Sequence, residues 1–208
     1  MEAYIFAIAE AAEPAAAVRA VLQAGGARPE WLSEIHWLGG AAERLPVPCP
    51  VFEWPASPLG GLFQLQALAR ALQAGASTLA ILGQSGSGGA LAVLLGAPTA
   101  VGRWNLPPLG RVTPLPAGGP SQDSFLAALS RQVGQTLPEE TRLAFLGAQG
   151  LDEEQVREGF AEAALFAGEA DLRLAARLMR ALEESRAAAA LLAGFTGRGG
   201  LAALIERI

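Results

Sequence analysis

The chain contains no lysine, and this absence decides how its most suggestive loop is interpreted. All 15 basic residues among the 208 are arginine. Residues 81–94, ILGQSGSGGALAVL, have the glycine spacing of a phosphate-binding loop, G-x-x-x-x-G-K-[ST]. Gly89 and Ala90 stand where that loop needs a lysine for the phosphates and a hydroxyl for magnesium. We therefore expect no ATP or GTP binding, and we predict neither a cofactor nor a metal.

Cysteine, histidine and long apolar runs are equally scarce. The single cysteine, Cys49, excludes an internal disulfide, and His36 is the only histidine. A net charge of -5 argues against a nucleic-acid partner, which selects for basic surfaces. Apolar runs such as residues 187–195 fall short of the roughly 20 residues that span a bilayer, and the first four residues lack the positive start of a secretory signal. We expect a cytoplasmic protein without a membrane segment.

Short apolar runs and leucine spacing predict alternating strands and helices in the first half of the chain. Glycine ends several of these elements, and prolines around Cys49 favour an edge strand or extended segment before VFEW. Strands are predicted at residues 4–9, 34–38, 78–82 and 90–95, and helices at residues 14–24 and 59–74.

The second half is predicted to be mostly helical. Residues 98–120 are rich in proline and glycine and form a connection with one short strand near residues 110–115. Helices are predicted at residues 122–135, 139–146, 152–166 and 169–185, and strands at residues 188–193 and 201–205. A helix followed by two strands around a glycine turn thus occurs twice, which indicates an internal duplication. We expect a single domain over 1–208, with an N-terminal half at about 1–97 and a C-terminal half at about 121–208.

Three segments resemble one known family. Residues 57–75, SPLGGLFQLQALARALQAG, are similar to the thiolase segment in which the nucleophilic cysteine precedes G-S-G-L-Q-A and a helix ending in glycine. Residues 87–96, SGGALAVLLG, resemble the family strand GAGAVVLG, and residues 195–208, FTGRGGLAALIERI, resemble the thiolase C-terminus. The chain therefore looks like a shortened member of the thiolase and ketoacyl-synthase superfamily, at about half the usual length. The resemblance implies an α/β fold of two related strand–helix halves in α/β/α/β/α layers.

The resemblance also locates the residues that family chemistry would need, and they are replaced. Pro58, beside Ser57, stands at the position of the nucleophilic cysteine, and Glu169 stands where the histidine of the G-H-P motif would fall. Ser57 and Pro58 are interpreted as a helix cap. Glycines matching the family loops are the candidate binding residues: Gly60, Gly61, Gly83, Gly197 and Gly199. We expect a catalytically inactive thiolase-like protein that binds its own kind or an acyl-transfer enzyme.

An alternative is an acyltransferase that acts on acyl-CoA or acyl-carrier substrates through a displaced nucleophile, Cys49 or Ser57. His36 has either a structural role or that of a proton carrier. Carboxylates in predicted helix first turns are interpreted as capping groups rather than a catalytic pair: Glu139, Glu140, Glu153 and Glu154. Arginines at helical spacing form an ion-pair face or, alternatively, bind an anion such as a CoA phosphate: Arg173, Arg177 and Arg180.

The segment before Pro58 suggests how the protein assembles. In the family this extended segment pairs with its twin across a two-fold axis, and here it corresponds to residues 49–54. Val51, Phe52 and Trp54 are large apolar residues on a predicted edge strand, which invites pairing. We expect a homodimer; the alternative is a monomer whose second half folds over this edge.

Overall fold

The computed structural model of the protein describes residues 2–40, 45, 47–86, 88–116, 118–138, 141–167, 171–197 and 199–208. Six α-helices and ten strands lie within these residues, with a short 3-10 helix at Pro29–Trp31. The strands are β1 Ala3–Ala11, β2 Glu34–Leu38, β3 Val51–Trp54, β4 Leu79–Gly86, β5 Gly89–Gly96, β6 Gly110–Leu115, β7 Leu143–Gln149, β8 Ala164–Ala167, β9 Ala189–Phe195 and β10 Gly200–Arg207. The helices are α1 Pro14–Gly25, α2 Gly60–Gln73, α3 Pro98–Trp104, α4 Gln122–Thr136, α5 Glu153–Gly159 and α6 Asp171–Ser185.

The strand order repeats itself in the two halves of the chain. One mixed sheet runs β3-β2-β4-β5-β1-β6-β10-β9-β7-β8. The first five strands have the order β3-β2-β4-β5-β1, and the last five repeat it in mirror order as β6-β10-β9-β7-β8. In each half the strand next to the edge pairs in parallel with both neighbours, and the remaining pairs are antiparallel. The duplication predicted from the sequence is therefore confirmed in the topology.

Helices cover both outer faces and fill the space between the halves. Val18 and Val21 of α1 pack on the outer face of the first half, and Phe125 of α4 packs on the outer face of the second. Leucines of α2 and α6, such as Leu65 and Leu178, share one central cluster with strands of both halves. Each fully buried leucine of this kind stabilises the fold by about 2 kcal/mol. The predicted α/β/α/β/α layering is thus confirmed.

Besides the central apolar cluster, a short seam and one buried polar side chain join the two halves. β1 and β6 pair antiparallel over three residue pairs, from Ala3↔Val112 to Ile5↔Gly110. Gln66 of α2, only 4% exposed, donates hydrogen bonds to the carbonyl oxygens of Leu115, at 3.4 Å, and of Ala202. Because Leu115 and Ala202 are partners in the β6–β10 pair, one first-half side chain binds both strands of this second-half pair.

In the second half one predicted helix is wrong and another is too long, and in the connection before it one helix was missed. In the helix predicted at residues 139–146, residues 143–146 instead form the start of β7, which continues to Gln149, while residues 139 and 140 lie outside the described residues. The helix predicted at residues 152–166 ends at Gly159, and the apolar run ALFA forms β8 instead. Asp152 Oδ1 accepts the N–H groups of Glu154 and Gln155 at 3.0 and 3.1 Å, so the acidic residues do begin a helix. The missed helix, α3, starts with Pro98 at its first turn, where the missing N–H is harmless.

Among the described residues, no helix is long and apolar enough to cross a bilayer.

Candidate functional site

A cavity of about 470 Å³ lies at the start of α2. Most of its lining comes from two separate segments, residues 54–64 around the start of α2 and residues 196–201 in the β9–β10 turn and the start of β10, and Leu38 of β2 completes it. Both segments overlap stretches on which the family resemblance rests, residues 57–75 and 195–208. The lining residues are mostly apolar: Leu38, Trp54, Pro55, Ser57, Pro58, Leu59, Gly60, Phe63, Gln64, Thr196, Gly199, Gly200 and Leu201.

A tight turn, rather than a helix cap, brings the chain into α2. The Gly60 N–H bonds to the Ser57 carbonyl at 3.0 Å, and Leu59 has φ 62° and ψ 10°. These angles are those of the third residue in a type II turn, which favours proline at the second residue, here Pro58. The helix-cap prediction for Ser57 and Pro58 is therefore wrong, since Leu59 occupies the cap position and no side chain caps the helix. Proline is favoured both at the first position of a helix and at the second residue of a type II turn, so the sequence alone does not distinguish the two.

Leu59 is held in this left-handed conformation by packing. Its side chain is 4% exposed and lies over Gly194 of β9, where an added Cβ would fall 2.2 Å from a Leu59 methyl carbon. A left-handed backbone is costly for leucine, so the surrounding structure must stabilise it. The start of α2 is thus fixed against the second half of the molecule.

The candidate glycines separate into two groups. Gly60 and Gly199 line the cavity, Gly61 follows in the first turn of α2, and Gly197 has φ 76° in the β9–β10 turn. Gly83 instead lies in β4, where an added Cβ would approach the Trp37 ring to 2.1 Å. The missing side chain of Gly83 makes room for that ring. Glu169, at the family histidine position, lies outside the described residues.

His36, the only histidine of the chain, contacts two residues of the cavity wall, Gln64 and Trp54. His36 Nδ1 is 3.1 Å from Gln64 Oε1, and the Trp54 indole N–H donates to the same nitrogen at 3.2 Å. Its other nitrogen, Nε2, is 3.1 Å from Glu34 Oε2. The His36 side chain is 13% exposed, and the ring centroid of Phe52 is 5.0 Å away. His36 therefore connects the cavity wall to the edge strand β3.

The sequence analysis did not predict this cluster, although the spacing of two of its residues, Glu34 and His36, is visible in the sequence. Glu34 and His36 are two residues apart in a strand, so they share a face. Gln64 and Trp54 come from α2 and β3, and only the topology brings them to that face.

Cys49 is badly placed and poorly activated for a displaced nucleophile. It packs against the outer cluster that contains α1, whereas the cavity lies on the α2 side of the sheet. Burial, with a smaller contribution from Glu34, raises the pKa of the Cys49 thiol. The thiol is therefore protonated at neutral pH, and the thiolate is the reactive form.

The three arginines of α6 contact the protein itself. Arg173 donates to the Gly89 carbonyl at 3.2 Å, and Arg180 pairs with Glu10 of β1 at 3.3 Å. The Arg177 guanidinium lies 4.6 Å from the centre of the Phe166 ring. These contacts attach α6 to both halves of the molecule.

A second charged group lies at the seam between the halves. Arg111 of β6 binds Glu206 through two hydrogen bonds of 2.7 and 3.0 Å and also binds Glu2. These bonds, above all those to Glu206, raise the pKa of Arg111. Hydrogen bonds from Tyr4 and then Arg111 lower the pKa of Glu2. Within the described residues no cluster of three or more His, Cys, Asp or Glu side chains could hold a metal ion.

Comparison with known proteins identifies the fold. No protein-family model and no curated protein sequence matches the chain. Human mitochondrial 3-ketoacyl-CoA thiolase superimposes with a TM-score of 0.77 over 100% of this chain and 99% of that chain, at 11% identity. The chain has a thiolase-like fold. The same thiolase in complex with CoA gives a TM-score of 0.76 over 100% of this chain and 98% of that one, also at 11% identity. A variant of OleA from Xanthomonas campestris gives 0.69 at 11% identity, covering 99% and 98% of the two chains. With 208 residues, this thiolase-like fold is small for its kind.

Proposed function

We propose that the protein is a thiolase-fold subunit that catalyses no reaction and works by assembly through β3, in the first place with a second copy of itself. The observation that carries this proposal is the composition of the cavity wall. Among the described residues that line it, none is cysteine, histidine or charged. Acyl transfer of the condensing type needs an activated nucleophile and a base within reach of it. Pro58, at the position matching the family nucleophile, supplies neither.

The exposed edge supports the assembly part of the proposal. β3 ends the sheet, and no described strand lies on its outer side. Val51, Phe52 and Trp54 are 36%, 45% and 39% exposed, and Phe63 at the start of α2 is 55% exposed. An unpaired strand edge with large apolar side chains is normally covered in a native assembly.

A second copy covers this edge more readily than the second half of the same chain. The second half joins the sheet at β1, and three strands, β2, β4 and β5, separate β1 from β3. A two-fold axis would place β3 antiparallel to its twin, which is a self-complementary arrangement. Pro50 and Pro55 flank β3 and limit this pairing to about four residues. A stable interface buries about 1,600 Å² in total, so Phe63 and the start of α2 must contribute.

Two measurements test the proposal. Light scattering at tens of micromolar should give about twice the 21.4 kDa of the chain; a monomeric mass would contradict the assembly. Incubation with a panel of acyl-CoA thioesters, followed by intact-mass analysis, should show no covalent acyl adduct. An adduct would contradict the absence of catalysis.

One observation favours the acyltransferase alternative, with Ser57 as the nucleophile. The Ser57 hydroxyl lies at the cavity, within 2.7 Å of where a Cβ on Gly60 would be. If an adduct forms, Ser57→Ala should abolish it, whereas Cys49→Ala should not. Cys49 is disfavoured by its position and by the raised pKa of its thiol.

A further inference from the structure

The Nδ1 atom of His36 has two neighbours that require different protonation states. The indole N–H of Trp54 can only donate, so its 3.2 Å bond needs a lone pair on Nδ1. The Gln64 oxygen at 3.1 Å can only accept, so its bond needs a hydrogen on Nδ1. A ring nitrogen carries one or the other. Rotating the Gln64 amide does not resolve the conflict, because two donors would then share one lone pair.

The two partners therefore match the two states of the imidazole. In the neutral ring, Nε2 carries the hydrogen and donates to Glu34 at 3.1 Å, while Nδ1 accepts from Trp54. In the protonated ring both nitrogens donate, so Nδ1 bonds to Gln64 and the Trp54 N–H faces another donor.

We propose that His36 is a pH-dependent switch, which holds Trp54 against the cavity when neutral and releases it when protonated. Trp54 lines the cavity and belongs to the exposed edge β3, so its release changes both surfaces. The link to dimer formation rests on the proposed function; the release of Trp54 does not.

Few other charges surround His36 in the described part of the chain. Glu34, on the same strand, is its direct partner. On β3 the only charged residue is Glu53, which lies beside Trp37 in the register and so faces the opposite side of the sheet. On α2 the only charged residue is Arg70, in the last turn of the helix. On β4, which flanks β2 on the other side, no residue titrates. Glu34 is thus the one charged residue of these elements that contacts the His36 ring.

Nuclear magnetic resonance tests the switch without reference to assembly. The Trp54 indole N–H resonance, assigned through Trp54→Phe, should move upfield as pH falls from 8 to 5, in step with the His36 ring resonance. Upfield movement is expected when a hydrogen bond is lost. In His36→Gln the Trp54 resonance should stay constant over the same range. The proposal would be overturned if the Trp54 chemical shift does not change while the His36 ring resonance does, or if it changes equally in His36→Gln.

A second readout covers the case in which His36→Gln does not fold. In Trp54→Phe, a change at the exposed edge, His36 should titrate at higher pH than in the native protein, because the bond that favours its neutral form is gone. An unchanged midpoint would also overturn the proposal.

Sedimentation at pH 5.5 and 7.5 then tests the link to assembly. The dimer dissociation constant should rise about tenfold at the lower pH, the effect of one weakened hydrogen bond in each protomer. A monomer at both pH values would refute the dimer while leaving the resonance test of the switch intact. A dimer of equal strength at both values, with Trp54 responding, would refute only the link between them.

Discussion

The two ends of the sheet are topologically equivalent but differ in their surfaces. β3 carries VFEW, with Phe52 and Trp54 45% and 39% exposed. β8 carries ALFA, in which Phe166 lies under the Arg177 guanidinium at 4.6 Å and against Phe145 at a centroid distance of 5.8 Å. The same topology therefore covers the phenylalanine of one edge strand, β8, with neighbouring side chains and leaves the phenylalanine and tryptophan of the other, the open edge β3, more exposed. The open edge is a property of the sequence at β3, not a consequence of the fold.

The same comparison applies inside the sheet. In the first half Trp37 of β2 pairs with Gly83 of β4, and in the second half Ala148 of β7 pairs with Ala193 of β9. The first half fills this pair of positions with a tryptophan and a glycine, and the second half fills it with two alanines. Equivalent positions thus tolerate different substitutions.

The largest expected effect concerns the open edge. Phe52→Asp should raise the dimer dissociation constant by at least about 100-fold, because each interface would bury two unpaired carboxylates. Ala164→Asp at the first residue of β8, also exposed, is the matched control and should leave the native mass unchanged. Analytical ultracentrifugation measures both. Equal dissociation by the two variants would show that β3 has no special role.

The next effect concerns the Trp37–Gly83 pair. Gly83→Ala should reduce the free energy of unfolding by about 3 kcal/mol, since the added methyl overlaps the buried Trp37 ring. Ala193→Gly, at the equivalent place in the second half, should cost only about 1 kcal/mol through backbone entropy. Urea denaturation measures both values. A Gly83→Ala cost no larger than that of Ala193→Gly would contradict the packing role of Gly83.

A smaller effect is expected at the covered edge. Arg177→Gln and Phe166→Ala, made singly and together, should show a coupling energy of about 0.5–1 kcal/mol, the size of a cation–π contact at a partly exposed site. The cycle separates this contact from any other interaction of Arg177. Strict additivity of the two changes in unfolding free energy would show that the arginine does not stabilise the ring.

The smallest effect is expected at the seam, through Glu2. Because hydrogen bonds from Tyr4 and Arg111 lower its pKa in the folded protein, ionised Glu2 stabilises the fold at neutral pH, and this contribution is lost as pH falls through the lowered pKa. Glu2→Gln should therefore cost about 0.5 kcal/mol or less at pH 7, since solvent screens a partly exposed pair. The difference should shrink as pH falls through the lowered pKa of Glu2. A difference that grows towards acid pH would reverse the assigned sign.

Apolar runs bounded by glycine were sufficient to predict most of the fold. β2 and β6 have the bounds expected from EIHWL and GRVTPL, and the strand pairs around both glycine turns were predicted as neighbours. β7 and β8 were missed because LAFL and ALFA lie next to acidic residues that also favour helix starts. In such short runs, periodicity does not separate strand from helix.

The site was predictable only in part. The family resemblance pointed to Ser57, Pro58, Gly60 and Gly199, and these residues do line one cavity. The left-handed Leu59 has no sequence signature, because its conformation is stabilised by packing on Gly194. Tertiary contacts of this kind appear only once the halves are assembled.

The bridge from Gln66 of α2 to the paired strands β6 and β10 has a consequence for synthesis of the protein. The first five strands and α2 leave the ribosome before any part of the second half. At about 5–20 residues per second, the remaining 112 residues after Gly96 take on the order of ten seconds to translate. During that interval the central face of α2, with Gln66 and the apolar leucines around it, is uncovered. Nascent chains of this protein therefore expose a large apolar surface to chaperones until β10 emerges.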